Sequence, residues 1–164
     1  MRKIVIFAVV LSMLTVTLLS CGASGPFSGQ WKFSKLSSVE IAPDMDESEM
    51  ANLKELYGAD DEAGIEANAL ASFNETGVFA PCYINFEKEN TYTYDPAMDR
   101  EATWKFYKTG ENAGFISFYT ELDVTAGNPD PVVCPEIVYN AETGIMSMTT
   151  YYLGFMVTIE LTKN

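Results

Sequence analysis

The fold is decided by two neighbouring segments, Met146-Ser147-Met148-Thr149-Thr150-Tyr151-Tyr152 and Phe155-Met156-Val157-Thr158-Ile159-Glu160-Leu161. In the second segment large apolar side chains occupy every other position, and methionine, threonine and glutamate stand between them. A period of two is typical of a β-strand that buries one face. Gly154 interrupts the alternation, so the sequence predicts two adjacent strands with a break there.

The same alternation runs through most of the chain from Gly77 onward. Short polar stretches that contain glycine or proline separate the alternating segments, as is typical of hairpin connections. Further strands are predicted in residues 82–86, 91–94, 102–107, 116–122 and 137–139. With a first strand around Trp31 and Phe33 they make about eight. Serial hairpins with one apolar face predict a mainly β fold, an antiparallel up-and-down barrel.

A helical insert is predicted in residues 44–73, because Pro43 ends the first strand and the alternation then stops. Met50, Leu53 and Tyr57 fall on one face of a helix, and Gly58 suits its C-terminal end. A second acidic cluster, which is typical of a helix N-terminus, begins at residue 60. The insert should therefore be a pair of helices.

The first acidic cluster of the insert also admits a calcium interpretation. Asp44, Asp46 and Ser48 match the first three ligand positions of an EF-hand loop. The position that requires glycine in such a loop is occupied by Glu49, which removes the sharp turn that the loop needs. A capped helix start is therefore the expected structure.

Composition and charge exclude several classes of function. The 164 residues carry a formal net charge of −13 and include no histidine. Such acidity repels a phosphate backbone, so no nucleic-acid partner is expected. Without histidine, Ser-His-Asp and Cys-His mechanisms are excluded. No carboxylate pair stands out by its spacing, so an enzyme is the least favoured class, and no catalytic residue, metal ligand or cofactor is predicted.

The N-terminus has the layout of a secretory signal. Arg2 and Lys3 precede an apolar run over residues 4–19, which is shorter than the about 20 residues of a membrane-spanning helix. The run ends in Leu18-Leu19-Ser20-Cys21, which resembles a bacterial lipobox. In a lipobox the cysteine thiol receives a diacylglycerol and the chain is cut just before it. We therefore expect Cys21 to be acylated and to hold the protein to a membrane.

These features divide the chain into three parts. They are a signal peptide over residues 1–20, a lipidated cysteine and tether over residues 21–28, and one barrel domain over residues 29–164. Gly22 is not an acidic retention residue. By resemblance to lipoprotein sorting in well-studied bacteria, this favours an outer-membrane lipoprotein that faces the periplasm. A plain secretory signal and a membrane-spanning anchor are the alternatives.

Two further cysteines, Cys82 and Cys134, remain once Cys21 is acylated. The envelope of a bacterium is oxidising, and two cysteines in an exported chain favour one disulfide. We therefore predict a bridge between Cys82 and Cys134. Two unrelated buried thiols are the alternative.

The chain resembles the small lipocalin-like lipoproteins of Bacteroides-type bacteria. Besides the lipobox, the resemblance is carried by Gly29-Gln30-Trp31-Lys32-Phe33, Phe86 with Thr91-Tyr92-Thr93-Tyr94, Thr103-Trp104-Lys105-Phe106 and Val157-Thr158-Ile159-Glu160-Leu161. It implies a lipocalin-like barrel that encloses a cavity, with a helical insert after the first strand and mostly no established activity. It also implies that Trp31 closes one end of the barrel.

Two functions are open for such a barrel. The first is the binding of a small apolar ligand inside it. The inward side chains expected to line the cavity are Phe33, Phe86, Tyr92, Tyr94, Trp104, Phe118, Met146, Met148 and Tyr152. If these side chains fill the barrel instead, the protein is an interaction or structural module. Its helical insert, which need not stabilise the barrel, would then dock on another envelope protein through an exposed apolar patch.

Overall fold

The structure, a computed structural model, describes residues 25–87, 90–95 and 99–164. The described strands are β1 (Gly29–Ile41), β2 (Tyr83–Phe86), β3 (Thr91–Asp95), β4 (Arg100–Lys108), β5 (Ala113–Ser117), β6 (Glu136–Asn140), β7 (Ile145–Tyr152) and β8 (Phe155–Lys163). The described helices are α1 (Glu47–Tyr57), α2 (Glu62–Thr76) and α3 (Glu121–Thr125). The predicted signal peptide and Cys21 lie outside the described residues.

The eight strands form a closed barrel in which each strand pairs with its neighbours in sequence order and β8 returns to β1. All pairings are antiparallel. The predicted fold class, an up-and-down antiparallel barrel of about eight strands with helices after the first, is therefore confirmed. Closure gives each of the eight described strands a neighbour on both sides.

Strand β1 closes the barrel because one of its edges pairs with β2 and the other pairs with β8, the last strand. Its first residues pair with β2, with Trp31 opposite Ile84, and Trp31 to Ile41 pair with β8. The β1–β8 register shifts twice, between Phe33 and Lys35 and again between Leu36 and Ser38. Such irregularities bend a strand and increase its twist. The bent β1 therefore joins both ends of the sheet.

One end of the barrel is plugged by aromatic side chains. Phe27, just before β1, packs its ring 5.0 Å from Phe106 and 5.8 Å from Phe86, measured between ring centroids. Trp31 is 1% exposed, and its Nε1–H donates to the carbonyl oxygen of Phe27 at 3.1 Å. The ring of Tyr139 lies edge-on to Trp31 at 5.8 Å. Aromatic rings therefore pack across the barrel interior at this end, and Trp31 is buried among them.

The helical insert packs on the opposite end of the barrel and shares its core. Helix α2 contacts β1, and Glu66 of α2 accepts the backbone N–H of Ile41 at 2.9 Å. Phe73 of α2 is buried, and its ring lies 5.9 Å from Phe155 and 5.4 Å from Tyr152. The expectation that the insert need not stabilise the barrel is therefore wrong, because its apolar face is part of the barrel core.

The first helix of the insert begins and ends as the sequence predicts, whereas α2 begins at the predicted acidic cluster but continues past the predicted end at residue 73 to Thr76. Asp46 caps α1 by accepting the N–H groups of Ser48 and Glu49, each at 2.8 Å. Glu49 in turn accepts the N–H of Asp46, which completes a capping box. Gly58 ends α1 in the left-handed region at φ 63°. The acidic cluster thus serves as a helix start, with the Asp46 side chain directed to backbone N–H groups.

Strand β5 is shorter than predicted. The alternation through residues 116–122 predicts one continuous strand, but β5 ends at Ser117 and α3 begins at Glu121. The cause is a capping box: Thr120 accepts the N–H of Asp123, and Asp123 accepts the N–H of Thr120. This local capping chemistry outweighs the period-two pattern. The connection between β5 and β6 then places Tyr119 over β4, where its carbonyl accepts the hydroxyl of Tyr107.

Prediction for the plugged end: Gly114→Ala destabilises the protein. A Cβ at Gly114 would lie 2.4 Å from two ring carbons of Phe106 and 2.7 Å from the carbonyl oxygen of Tyr107. Overpacking of this kind costs about 1–3 kcal/mol. Urea unfolding should show a lower midpoint. Gly110→Ala is the matched control, because its Cβ would meet only Ala113 at 3.8 Å. Equal stabilities for the two variants would contradict the close Phe106 contact.

Candidate binding site at the open end of the barrel

A cavity of about 250 Å³ opens at the end of the barrel opposite to Phe27. It lies where β3, β5 and β7 end, since Tyr94, Ser117 and Tyr152 all line it. The helical insert forms one side of this open end through Phe79, which follows α2 and lines the cavity. The Phe79 ring lies 5.9 Å from Phe73 and 5.0 Å from Tyr152. The barrel interior is thus filled at one end and hollow at the other.

Five of the nine predicted cavity residues line this space. They are Tyr94, Trp104, Phe118, Met148 and Tyr152. Three others belong to the packed part of the interior: Met146 is fully buried, Phe86 is in the aromatic plug, and Phe33 packs half-buried against the core. Aromatic rings occupy that half, so these three do not reach the cavity.

The prediction for Tyr92 is wrong. The register places Tyr92 opposite Asn85 of β2 and Thr103 of β4, and cross-strand partners point to the same face of a sheet. Ile84, which precedes Asn85 on β2, is fully buried and therefore faces the barrel interior. Asn85 and its partner Tyr92 lie on the opposite, outer face of the sheet. On β3 the interior positions are held by Thr91 and Thr93. The alternation of threonine and tyrosine on β3 does not show which of the two side chains faces the interior. The prediction placed the tyrosine ring inside, which is wrong for Tyr92.

The cavity wall contains residues that the sequence did not single out. Ile116 and Cys134 are buried in it, and Val133 stands at its edge. Val133 and Cys134 belong to the irregular connection before β6, where no periodic pattern predicts which side chains face the interior. Ser117 follows Ile116 in the alternating segment, so the period of two predicts that its side chain points outward. It reaches the cavity because β5 ends there and the chain turns.

The polar side-chain groups of the described wall residues are hydroxyls, one thiol and the indole N–H of Trp104. Ser117 is 1% exposed; its Oγ accepts the backbone N–H of Tyr119 at 2.8 Å and the thiol of Cys134 at 3.4 Å. Thr93, also buried, stands on the facing strand β3. Thr91 is the next interior position of β3 after Thr93 and lies further from the open end. Its hydroxyl is buried and has no hydrogen-bond partner among the described residues.

Some of the exposed apolar side chains of the described residues stand at the rim, whereas Leu122 and Val138 are exposed and do not line the cavity. Phe118 is 65% exposed, Val133 53% and Tyr151 41%, and all three line the cavity. Leu153, in the turn between β7 and β8, is also exposed at this end. On the described helices of the insert, the exposed large apolar side chain is Leu56. Three exposed apolar side chains therefore stand at the cavity rim, whereas a single one lies on the described helices of the insert.

The described ionisable groups with a clearly shifted pKa are held in their ordinary protonation states. Burial, and then the neighbouring Tyr152, raise the pKa of Tyr57 above its ordinary value, so this hydroxyl keeps its proton. In each described carboxyl whose pKa is clearly shifted, the pKa is lowered. For Glu121 the main cause is the hydrogen bond that Lys105 donates to it. No group of three or more His, Cys, Asp or Glu side chains in the described part of the chain is arranged to hold a metal.

The predicted disulfide is absent. Cys82 and Cys134 are both unbridged, and both are buried. Cys82 directly precedes β2 and Cys134 precedes β6, and these two strands are separated by three others on either side of the closed barrel. Strands on opposite sides cannot bring two Cα atoms within the 4.4–6.8 Å that a disulfide requires. The alternative, two unrelated buried thiols, describes the structure.

Comparison with known proteins gives no family. No family model matches the chain, and neither a curated protein nor a solved structure is significantly similar to it. None of the described helices is long and apolar enough to cross a membrane.

Prediction for the thiols: Cys82 and Cys134 react with iodoacetamide after unfolding in denaturant, without any reductant. In the folded protein the two thiols are shielded, because they are 1% and 2% exposed. Mass spectrometry of each labelled peptide measures this. Labelling that appears only after a reductant is added would show a bridge and contradict the separation of β2 and β6.

Proposed function

We propose that this protein is a lipid-anchored protein of the cell envelope whose barrel binds one small apolar molecule at its open end. The observation that carries the proposal is the cavity of about 250 Å³, walled by aromatic and aliphatic side chains. An apolar cavity of about 150 Å³ accepts benzene, and drug-sized ligands occupy about 300–1,000 Å³. A ligand of about two fused rings, or an aliphatic chain of similar volume, therefore suits this site.

The exposed rim supports binding over a purely structural role. Soluble proteins expose large apolar side chains singly, and a cluster around a concave site is typical of ligand binding. Phe118 stands beside Trp104, with 6.0 Å between the ring centroids, at the entrance. Both rings offer broad faces to an incoming apolar molecule. Membership of the lipocalin-like lipoproteins, which the sequence motifs suggest, fits this function and stays part of the proposal.

The anchor and the cavity lie at opposite ends of the domain in this proposal. Residues 22–24 separate Cys21 from Gly25, and a chain of this length reaches at most about 14 Å. Gly25 to Phe27 lead into the plugged end. If Cys21 is acylated, the plugged end faces the membrane and the open end faces water. The ligand then enters from the aqueous side, which we propose is the periplasm.

Prediction for ligand binding: Thr150→Trp lowers the affinity for N-phenyl-1-naphthylamine at least about tenfold, which corresponds to about 1.4 kcal/mol. Thr150 lines the cavity, and a larger ring there fills it. The probe fluoresces in apolar surroundings, so a titration of protein beginning at Gly22, which keeps every described residue, measures binding.

The matched control for this variant is Thr149→Trp. Thr149 is the preceding residue of β7 and points to the outer face, where its hydroxyl pairs with that of Thr158 at 3.0 Å. This variant should bind the probe as the unaltered protein does. Equal binding by both variants, or no binding by the unaltered protein, would refute the proposed site.

Prediction for the anchor: Cys21→Ala moves the protein from the membrane fraction to the soluble fraction or leaves it unprocessed, because the thiol that would carry the acyl chains is absent. Immunoblotting of fractionated cells, with Cys134→Ala as the control cysteine variant, measures this. An unchanged membrane fraction for Cys21→Ala would count against the lipoprotein assignment.

A further inference from the structure

Aromatic rings make up much of the cavity wall. The face of an aromatic ring carries partial negative charge, so a ring can hold a cation as well as an apolar surface. Among the described residues that line the cavity there is no Lys, Arg, Asp or Glu. A cation in this cavity would therefore be held by rings, with no carboxylate of the described wall in contact. The aromatic residues of the wall are Phe79, Tyr94, Trp104, Phe118, Tyr151 and Tyr152.

One of these rings is hydrogen-bonded to a carboxylate. The hydroxyl of Tyr94 donates to the carboxylate of Asp99, which directly precedes β4. Asp99 is exposed and does not line the cavity. Hydrogen bonds polarise the groups that they join, so a phenol that donates to an anion has a more negative ring. The Asp99 carboxylate therefore makes the ring of Tyr94 more attractive to a cation than an isolated phenol would be.

The surroundings of the open end are acidic. The helical insert, residues 44–73, packs at this end and contains nine Asp or Glu residues and one Lys. The connection between β5 and β6 adds Glu121, Asp123 and Asp130 and contains no Lys or Arg. Lys105, on β4, is paired with Glu121 at 2.8 Å. A field of this sign raises the local concentration of cations and repels anions.

We propose that the cavity selects a soft organic cation, which is a molecule with an apolar body and one positive charge that is shielded by alkyl groups or spread over an aromatic ring. This inference rests on the proposed function, since it names the chemical class of the molecule bound there. A metal ion or a primary ammonium is strongly hydrated, and the described wall residues include no carboxylate to replace that water. A quaternary ammonium is recognised by aromatic rings, which this wall supplies.

The test uses three probes of nearly the same shape that differ in charge. They are 2-naphthyltrimethylammonium, which is a cation; 2-tert-butylnaphthalene, which is a neutral hydrocarbon; and naphthalene-2-sulfonate, which is an anion. Each displaces N-phenyl-1-naphthylamine from protein beginning at Gly22. We expect the cation to bind at least about tenfold more tightly than the sulfonate, because aromatic rings and the acidic surroundings attract the first and repel the second.

The ratio of cation affinity to hydrocarbon affinity measures the contribution of the charge, because the two molecules have the same shape. Asp99→Asn should lower this ratio about two- to tenfold, since it removes the negative charge beside the ring of Tyr94. Glu142→Gln is the matched control. It removes the same charge from an exposed residue in the turn between β6 and β7, at the plugged end, and should leave the ratio unchanged.

Phe118→Leu tests the contact with the rings. Phe118 is 65% exposed at the rim, so the variant should fold as the unaltered protein does. Leucine keeps an apolar side chain there but removes the aromatic face. The ratio of cation affinity to hydrocarbon affinity should therefore fall about two- to fivefold. The hydrocarbon serves as the internal control for an intact cavity.

The outcomes separate this inference from the proposed function. A cation that binds no more tightly than the sulfonate would overturn the selection of a cation, and so would a ratio that neither Asp99→Asn nor Phe118→Leu lowers. In both cases binding of the hydrocarbon would leave the proposed function standing. An equal fall in Glu142→Gln would overturn the role of Asp99. Failure of every probe to bind, including N-phenyl-1-naphthylamine, would overturn the proposed function itself.

Discussion

The pairing of β1 with both β2 and β8 is the interaction on which the rest of the structure depends. It closes the sheet, so every strand has a neighbour on each side and every interior side chain faces a common axis. Eight strands give an interior that side chains can just fill. Phe27, Phe86 and Phe106 meet across the interior at one end, whereas at the other end Trp104, Phe118 and Tyr152 stand in the wall around a cavity.

Much of the fold could be predicted because local and global signals agree. The alternating apolar side chains of β8 are all fully buried, and the capping signals of α1 are used as the sequence suggests. The prediction failed at β5, where the Thr120–Asp123 capping box ends the alternation. A period of two reports which side chains can pack against a sheet. It carries no information about a capping box, in which side chains bind the free backbone N–H groups at the start of a helix.

The site was predictable in part. Periodicity identified which residues of β4 and β7 face inward, and Trp104, Met148 and Tyr152 do line the cavity. It could not say how deep along the barrel axis each residue lies, since depth depends on strand stagger and on the register shifts of β1. It also gave no face to Cys134, whose segment is irregular, so neither its place in the wall nor its distance from Cys82 followed from the sequence.

The hydrogen bond between Trp31 and the carbonyl of Phe27 has a mechanical consequence. Any tension applied to the chain at Gly25 reaches Phe27 first and is resisted by its ring contacts and by this bond before it loads the strand ladder. Force from the N-terminal side therefore acts on the end that is packed solid. The hollow end, where a bound molecule would sit, lies at the other end of the barrel from the point where this force enters.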